Sequence, residues 1–227
     1  MAHCITRHIP NAITCLNLFS GCVACVMALR SHYDAALLCI VLSALFDFCD
    51  GLAARTLHAY SPIGKDLDSL ADDISFGLAP SAILFALLCE MDYPDSLTWL
   101  PYSAFLIAVF SGLRLAKFNN DTRQTTSFIG LPVPANALFW AALVCGCRDK
   151  LLTFSPWLLV IGICLFSWLL VSEVPMVSLK FKNLHWRDNR VRFLFLLGCL
   201  PLLLLGVSGL ALIIVWYILL SLCHRKG

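Results

Sequence analysis

The chain has 227 residues, of which 60% are hydrophobic and only 13% are charged, and its formal net charge is +2. Soluble domains carry about 25% charged residues, so this composition excludes a disordered chain and leaves too few charges to coat an ordinary soluble fold. The small net charge gives no electrostatic support for a nucleic-acid partner. The composition therefore predicts an all-α, polytopic transmembrane helical bundle.

Charged residues, prolines and glycines divide the apolar sequence into eight stretches that approach the roughly 20 residues needed to cross a bilayer. Each stretch is predicted to form one helix. In chain order they run from Ala12 to Leu29, Ala35 to Leu57, Lys65 to Cys89, Leu97 to Lys117, Pro132 to Cys147, Pro156 to Val174, Arg192 to Leu205 and Gly209 to Cys223.

The last two stretches are either two spans or one broken hairpin that turns around Gly206. We expect residues 1–190 to form one membrane domain of six helices. Residues 191–227 are expected to form a C-terminal helical hairpin that belongs to the same membrane unit.

Lysine and arginine predict the orientation, since these residues concentrate on the cytoplasmic side of membrane proteins. With eight spans and a cytoplasmic N-terminus, all but three of the 16 basic residues fall on the cytoplasmic side; the exceptions are Arg30, Arg148 and Lys150. Both termini are therefore expected in the cytoplasm. The protein is predicted to be a multi-pass protein of the inner (cytoplasmic) membrane.

Six aspartates lie in the second and third predicted helices, toward their cytoplasmic ends: Asp47, Asp50, Asp66, Asp68, Asp72 and Asp73. A charged side chain at the centre of a membrane helix costs about 2.5–3.5 kcal/mol on insertion scales, so such residues mark functional sites. Only Arg55 and Lys65 lie close in sequence. Since oxygen ligands suit Mg²⁺, Mn²⁺ and Ca²⁺, a bound divalent metal is the natural way to balance the excess negative charge.

Helical spacing divides the six aspartates. Asp47 and Asp50 are three residues apart, and Asp68 and Asp72 are four apart, so each pair shares a helix face. Asp66 and Asp73 align with each other but point well away from Asp68. Four acids are therefore expected to converge, while Asp66 and Asp73 are expected to support the site or line its rim.

The spacing of this segment is D-x2-D-G-x2-A-R-x8-G-x3-D-x3-D, which is similar at every fixed position to the signature of the CDP-alcohol phosphotransferase family. The resemblance implies that a CDP-linked lipid is attacked by an alcohol and that CMP leaves. It implies a metal site of Asp47, Asp50, Asp68 and Asp72, with Asp68 and Asp72 catalytic and Asp72 the general base. Asp50, Gly51, Ala54, Arg55 and Gly64 would bind the CDP group.

Two divalent ions, Mg²⁺ or Mn²⁺, with Ca²⁺ able to bind in vitro, would clamp the attacking and leaving oxygens of an in-line displacement. No serine, cysteine or histidine lies in a triad-like context, which favours direct attack without a covalent enzyme intermediate. The family resemblance also implies a homodimer.

Further segments resemble the bacterial and archaeal phosphatidylserine synthase branch, among them Asn17–Gly21, Asp68–Pro80, Gly112–Asn119 and Phe128–Ala135. The substrates implied are CDP-diacylglycerol in the membrane lipid and L-serine. The serine carboxylate needs cations, and Arg114 and Lys117 share a helix face, with Asn119 and Arg123 following. These four residues are the candidate serine site. The alternative is that the basic residues are plain cytoplasmic anchors.

Two other functions stay open from the sequence alone. A sister enzyme could use glycerol 3-phosphate or inositol phosphate as acceptor, in which case Arg114, Lys117 and Arg123 would contact the acceptor phosphate. A cation carrier could use the same intramembrane acids, although transport would not require the Gly-x2-Ala-Arg spacing.

Overall fold

The computed structural model describes residues 8–120, 128–177 and 186–223, and within these ranges the chain folds into eight helices. The all-α prediction is confirmed. The helices are α1 (Ile9–Leu29), α2 (Tyr33–Thr56), α3 (Pro62–Glu90), α4 (Leu106–Asn120), α5 (Val133–Thr153), α6 (Pro156–Val171), α7 (Trp186–Leu203) and α8 (Val207–Cys223).

Several helices are long and apolar enough to cross a membrane. In the described part of the chain, the segments that meet this criterion are Ile9–Leu29, Tyr33–Thr56, Pro62–Glu90 and Asp95–Asn120. Helices α6 and α8 are apolar but shorter. Two short 3₁₀ turns, Asp95–Leu97 and Leu100–Phe105, lead into α4. The number of long apolar helices makes the chain a multi-pass membrane protein.

Helix α3 is continuous but not uniform. Ser61 caps its start by accepting a hydrogen bond from the Gly64 N–H at 3.0 Å, and Pro62 occupies the first turn, where its missing N–H costs nothing. A π-helical turn then covers Asp73–Leu78 before the α-helix resumes at Ala79. The sequence predicted a regular helix here. Single π turns widen a helix and are frequent at functional sites, and this one begins directly after Asp72.

The predicted boundaries differ most from the structure at three helices. The helix expected from Leu97 begins as an α-helix only at Leu106, after the two 3₁₀ turns. Helix α5 was expected to end at Cys147 but continues to Thr153 across a kink, where Cys147 itself has a non-helical φ of −134°. The helix expected from Arg192 begins at Trp186. At the last two boundaries charged residues follow or precede the apolar run, and they extend a helix that hydropathy alone would end.

Two short strands pair the segment before α5 with the segment after α6. Phe128–Ile129 pairs antiparallel with Pro175–Met176, and Gly130 (φ +76°) donates its N–H to the Val174 carbonyl at 2.9 Å. A side chain at Gly130 would place Cβ 2.5 Å from the Leu170 carbonyl oxygen, so only glycine fits this turn.

The C-terminal pair consists of two helices joined at Gly206, whose φ is +65°. Helix α8 packs against α5 and against the strand after α6. Its Tyr217 hydroxyl donates to the Val177 carbonyl at 3.1 Å, and its Ser221 hydroxyl accepts from the Val177 N–H at 3.2 Å. The hairpin is thereby hydrogen-bonded to the segment that follows the first six helices.

A polar cluster at the end of α3 opposite the aspartates connects three parts of the bundle. Glu90 accepts hydrogen bonds from Ser31 at 2.5 Å, from Tyr33 at 2.8 Å and from Arg148 Nε at 3.0 Å. Arg148 also forms an ion pair with Glu90 at 2.9 Å. The loop between α1 and α2, the end of α3 and the kinked end of α5 therefore meet at one carboxylate.

We expect Glu90→Gln to lower the thermal stability of the purified protein in detergent. Hydrogen bonds to a charged group contribute about 1.5–3 kcal/mol, and the amide of glutamine keeps only part of this set. Asp149→Asn is the matched control, because Asp149 lies 3.7 Å from the same arginine but its side chain is 96% exposed. Equal melting temperatures for the two variants would contradict a stabilising role for the Glu90 cluster.

Candidate active site

Three aspartates from α2 and α3 come together. One carboxylate oxygen from each of Asp47, Asp50 and Asp68 lies within 4.8 Å of the others. Asp50 is only 5% exposed, and Asp68 Oδ1 is buried without a hydrogen-bond partner among the described residues. Because like charges at this separation repel strongly in a low-dielectric site, the arrangement suits a bound cation.

Asp72 lies one turn after Asp68 but outside this group of three. Asn17 Nδ2 donates to its Oδ1 at 3.2 Å, and the charges of Asp47, Asp68 and Asp50 all act on it. Asp72 is thus close to the three acids but has a hydrogen-bond partner that none of them shares.

The other two aspartates of α3 lie elsewhere. Asp66 is exposed. The Asp73 carboxylate lies between the π turn of α3 and α4: a Cβ added at Gly77 of α3 or at Gly112 of α4 would lie 2.8 Å or 3.3 Å from its Oδ1. Neither aspartate belongs to the group formed by Asp47, Asp50 and Asp68.

Helix α1 contributes polar groups that the sequence reasoning missed. Thr14 Oγ1 donates to Asp50 Oδ2 at 2.7 Å, and Asn17 contacts Asp72. The available signal was a polar stripe at three-residue spacing, Asn11, Thr14, Asn17 and Ser20, in an otherwise apolar helix. All the described side chains that donate hydrogen bonds to these aspartates come from α1.

The five residues expected to bind the CDP group line a single cavity of about 530 Å³. Its wall also includes side chains from α1, from the α2–α3 turn and from α4. The cavity is lined by Pro10, Asn11, Thr14, Asp50, Gly51, Ala54, Arg55, Ala59, Tyr60, Ser61, Gly64, Lys65, Asp68 and Phe118. Asp50 and Asp68 therefore border the same cavity as two cations, Arg55 and Lys65.

The glycines of the cavity differ in the space around them. A Cβ at Gly64 would lie 2.9 Å from both Asn11 Oδ1 and Ser61 Oγ, whereas a Cβ at Gly51 would have only Arg55 Nη2 nearby, at 3.9 Å. A side chain at Gly64 would therefore have to displace Asn11 or Ser61, whereas Gly51 leaves open space beside Asp50.

The candidate serine residues do not form one group. Arg114 is 8% exposed, lies over the Phe118 ring at 5.3 Å and is within electrostatic range of Asp72. Lys117 is exposed and donates to the Val171 carbonyl at 3.4 Å. Asn119 bridges to α3, donating from Nδ2 to Ser69 Oγ at 2.7 Å and accepting from Lys65 at its carbonyl. Arg123 lies outside the described residues.

The aspartate signature carried by α2 and α3 resembles that of the membrane transferases that act on CDP-activated substrates, and a comparison with known families agrees. The model of the CDP-alcohol phosphatidyltransferase family matches residues 7–169. The chain belongs to this family, as its aspartate signature predicted.

Three relatives show which members of this family the chain resembles. The chain is 35% identical over 175 residues to a CDP-diacylglycerol–serine O-phosphatidyltransferase of Bacillus subtilis, covering 77% of this chain and 92% of the relative. It is 30% identical over 232 residues to the enzyme of the same name from Mycobacterium leprae, covering 95% and 72%. An archaetidylserine synthase of Methanothermobacter thermautotrophicus is 33% identical over 135 residues, 57% and 54% of the two chains.

Proposed function

We propose that the chain transfers the phosphatidyl group of CDP-diacylglycerol to the hydroxyl of L-serine, giving phosphatidylserine and CMP. The observation that carries the proposal is the group formed by Asp47, Asp50 and Asp68, of which Asp50 and Asp68 line the same cavity as Arg55. Relatives named for serine as acceptor support the choice of alcohol over glycerol 3-phosphate or inositol phosphate.

The family is generally dependent on divalent metal, and the donor set of this chain fits such an ion. The fit is seen in three convergent carboxylates, one with a buried oxygen that lacks a partner among the described residues. We propose that Asp47, Asp50, Asp68 and Asp72 hold two ions of Mg²⁺ or Mn²⁺. When bound, the metal neutralises the pyrophosphate and stabilises the charge that develops on the leaving CMP.

Side chains of the protein bind the phosphates and accept the proton of the acceptor. Arg55, with its planar pair of donors, and Lys65 line the cavity and offer positive charge to the phosphates. Asp72 takes the proton of the serine hydroxyl as the serine oxygen bonds to the phosphatidyl phosphorus. The bond from that phosphorus to the bridging oxygen breaks, and CMP leaves with the electron pair. The atoms balance without a covalent enzyme intermediate.

The direct test is CMP release by the purified protein with CDP-diacylglycerol, with and without L-serine, in Mg²⁺, Mn²⁺ or EDTA. We expect release that requires both serine and metal. Glycerol 3-phosphate and inositol phosphate serve as competing acceptors. If one of them stimulated CMP release and serine did not, that compound would be identified as the acceptor instead of serine. A cation carrier would instead move ions across liposomes without releasing CMP.

Gly64→Val is expected to raise the KM for CDP-diacylglycerol more than that for serine. The new side chain would collide with Asn11 and Ser61, which line the cavity. Gly51→Ala should cost less, because its Cβ meets open space. An unchanged KM for CDP-diacylglycerol in a folded Gly64→Val protein would show that the nucleotide lies elsewhere.

The same proposal includes the setting of the enzyme. We propose an inner-membrane homodimer whose active site faces the cytoplasm, with residues 1–190 as the catalytic domain and residues 191–227 as a hairpin of the same unit. The distribution of lysine and arginine supports the orientation, and the family resemblance supports the dimer. Cysteine labelling of intact cells and the mass of the detergent-solubilised protein test these two points.

A further inference from the structure

Asn17 is held rigidly in the middle of α1. Asn17 is 0% exposed. Its backbone carbonyl accepts hydrogen bonds from Ser43 Oγ on α2 at 3.2 Å and from Ser75 Oγ on α3 at 3.1 Å. One turn later, a Cβ at Gly21 would lie 2.2 Å from Ser75 Oγ. The absence of a side chain at Gly21 therefore lets α1 approach the π turn of α3 closely enough for Asn17 to reach the site.

The Asn17 side chain acts on one oxygen of Asp72. Its Nδ2 donates to Asp72 Oδ1 at 3.2 Å, while its own Oδ1 is buried and has no partner among the described residues. Within the described chain, Asp72 Oδ2 accepts no hydrogen bond from a side chain. The two oxygens of Asp72 are thus inequivalent, because one is tied to α1 and the other is available.

We propose that Asn17 is a positioning residue that fixes the Asp72 carboxylate by Oδ1 and so presents Oδ2 to the hydroxyl of the acceptor. The inference rests on the proposed function, in which Asp72 takes the hydroxyl proton. A carboxylate on a helix can rotate about its side-chain torsions, and an error of about 1 Å in a reacting group can cost 10²-fold in rate. The amide of a residue anchored by two serines restricts that rotation.

The test compares Asn17→Ala and Asn17→Asp with the control Ser20→Ala in the full-length protein. Ser20 lies one turn away on α1, is also buried and also bonds α2, donating to the Cys39 carbonyl at 2.8 Å. Asn17→Ala is expected to lower kcat about 10- to 100-fold relative to Ser20→Ala, with the KM for CDP-diacylglycerol little changed. Asn17→Asp keeps the shape but places a second carboxylate beside Asp72, so its kcat should fall at least as far.

A second measurement separates positioning from metal binding. Mn²⁺ affinity of the purified proteins, followed by electron paramagnetic resonance without substrate, is expected to change far less in Asn17→Ala than in Asp68→Ala. The reason is that Asn17 bonds to Asp72 and not to the three convergent acids Asp47, Asp50 and Asp68. A loss of about 10- to 100-fold in affinity, the range typical of groups that orient metal ligands, would overturn the proposal. So would an Asn17→Ala protein whose kcat equals that of Ser20→Ala.

The role of Asn17 and the identity of the acceptor are tested by different measurements. Whether L-serine stimulates CMP release by the wild-type protein decides the acceptor. The ratio of variant to wild-type kcat, measured with whichever acceptor drives the wild-type reaction, decides the role of Asn17.

Discussion

Replacing Asp47, Asp50, Asp68 or Asp72 with alanine is expected to reduce serine-dependent CMP release to background. For Asp72 the loss should reach about 10²–10⁴-fold, the contribution typical of a general base. For Asp47, Asp50 and Asp68, the loss follows because each substitution removes a ligand of the divalent metal that neutralises the pyrophosphate. Turnover under saturating Mn²⁺ and both substrates is the measurement.

Asp66→Asn is the matched control, since Asp66 is on the same helix as Asp68 but is exposed. Asp73→Asn should also be milder, because the Asp73 carboxylate lies against Gly77 and Gly112 of the α3–α4 contact. Equal losses at all six aspartates would contradict the division of α3 into a catalytic face and a supporting face.

Arg114→Ala is expected to raise the KM for serine about 10- to 100-fold, because a charge-assisted contact contributes roughly 1.5–3 kcal/mol to binding. The KM for CDP-diacylglycerol should change far less. Arg114 carries this expectation because it is buried, 8% exposed, and electrostatically coupled to Asp72. Lys117→Ala should have a smaller effect, since its ammonium lies at the surface on the Val171 carbonyl.

Two further variants sharpen this experiment. Arg114→Lys keeps the charge but loses the paired donors, so an intermediate KM for serine would indicate contact with the carboxylate. Arg30→Ala removes an exposed arginine from the far end of α1 and controls for general loss of positive charge. A parallel rise in both Michaelis constants, or a fall in protein yield alone, would identify Arg114 as a structural anchor.

The sequence could predict what depends on neighbours along one helix. Apolar runs located the eight helices, and three- and four-residue spacing grouped Asp47 with Asp50 on α2. The same rule placed Arg114 and Lys117 on one face of α4, yet the first is buried and the second exposed. Burial depends on which helices pack alongside, and spacing within α4 carries no information about α3, α6 or α8.

Contacts between helices and the local winding of α3 could not be predicted in this way. The π turn over Asp73–Leu78 has no distinctive residue pattern, because it depends on packing against α1 and α4. The hydrogen bonds from Thr14 and Asn17 join residues 36 and 55 positions apart. Their polar stripe was visible in the sequence, but its target became identifiable only once α1 was placed beside α2 and α3.

The polar stripe on α1 has a consequence for biosynthesis. Helices enter the membrane in chain order, so α1 is present before the aspartates of α2 and α3 leave the translocation machinery. Those acids would each be costly if exposed alone to lipid. In the folded protein Thr14 and Asn17 donate hydrogen bonds to Asp50 and Asp72, so α1 carries donors for two acids that follow it in the chain. The first helix therefore supplies hydrogen-bond partners for acids of the segments that follow it, in addition to forming one wall of the cavity.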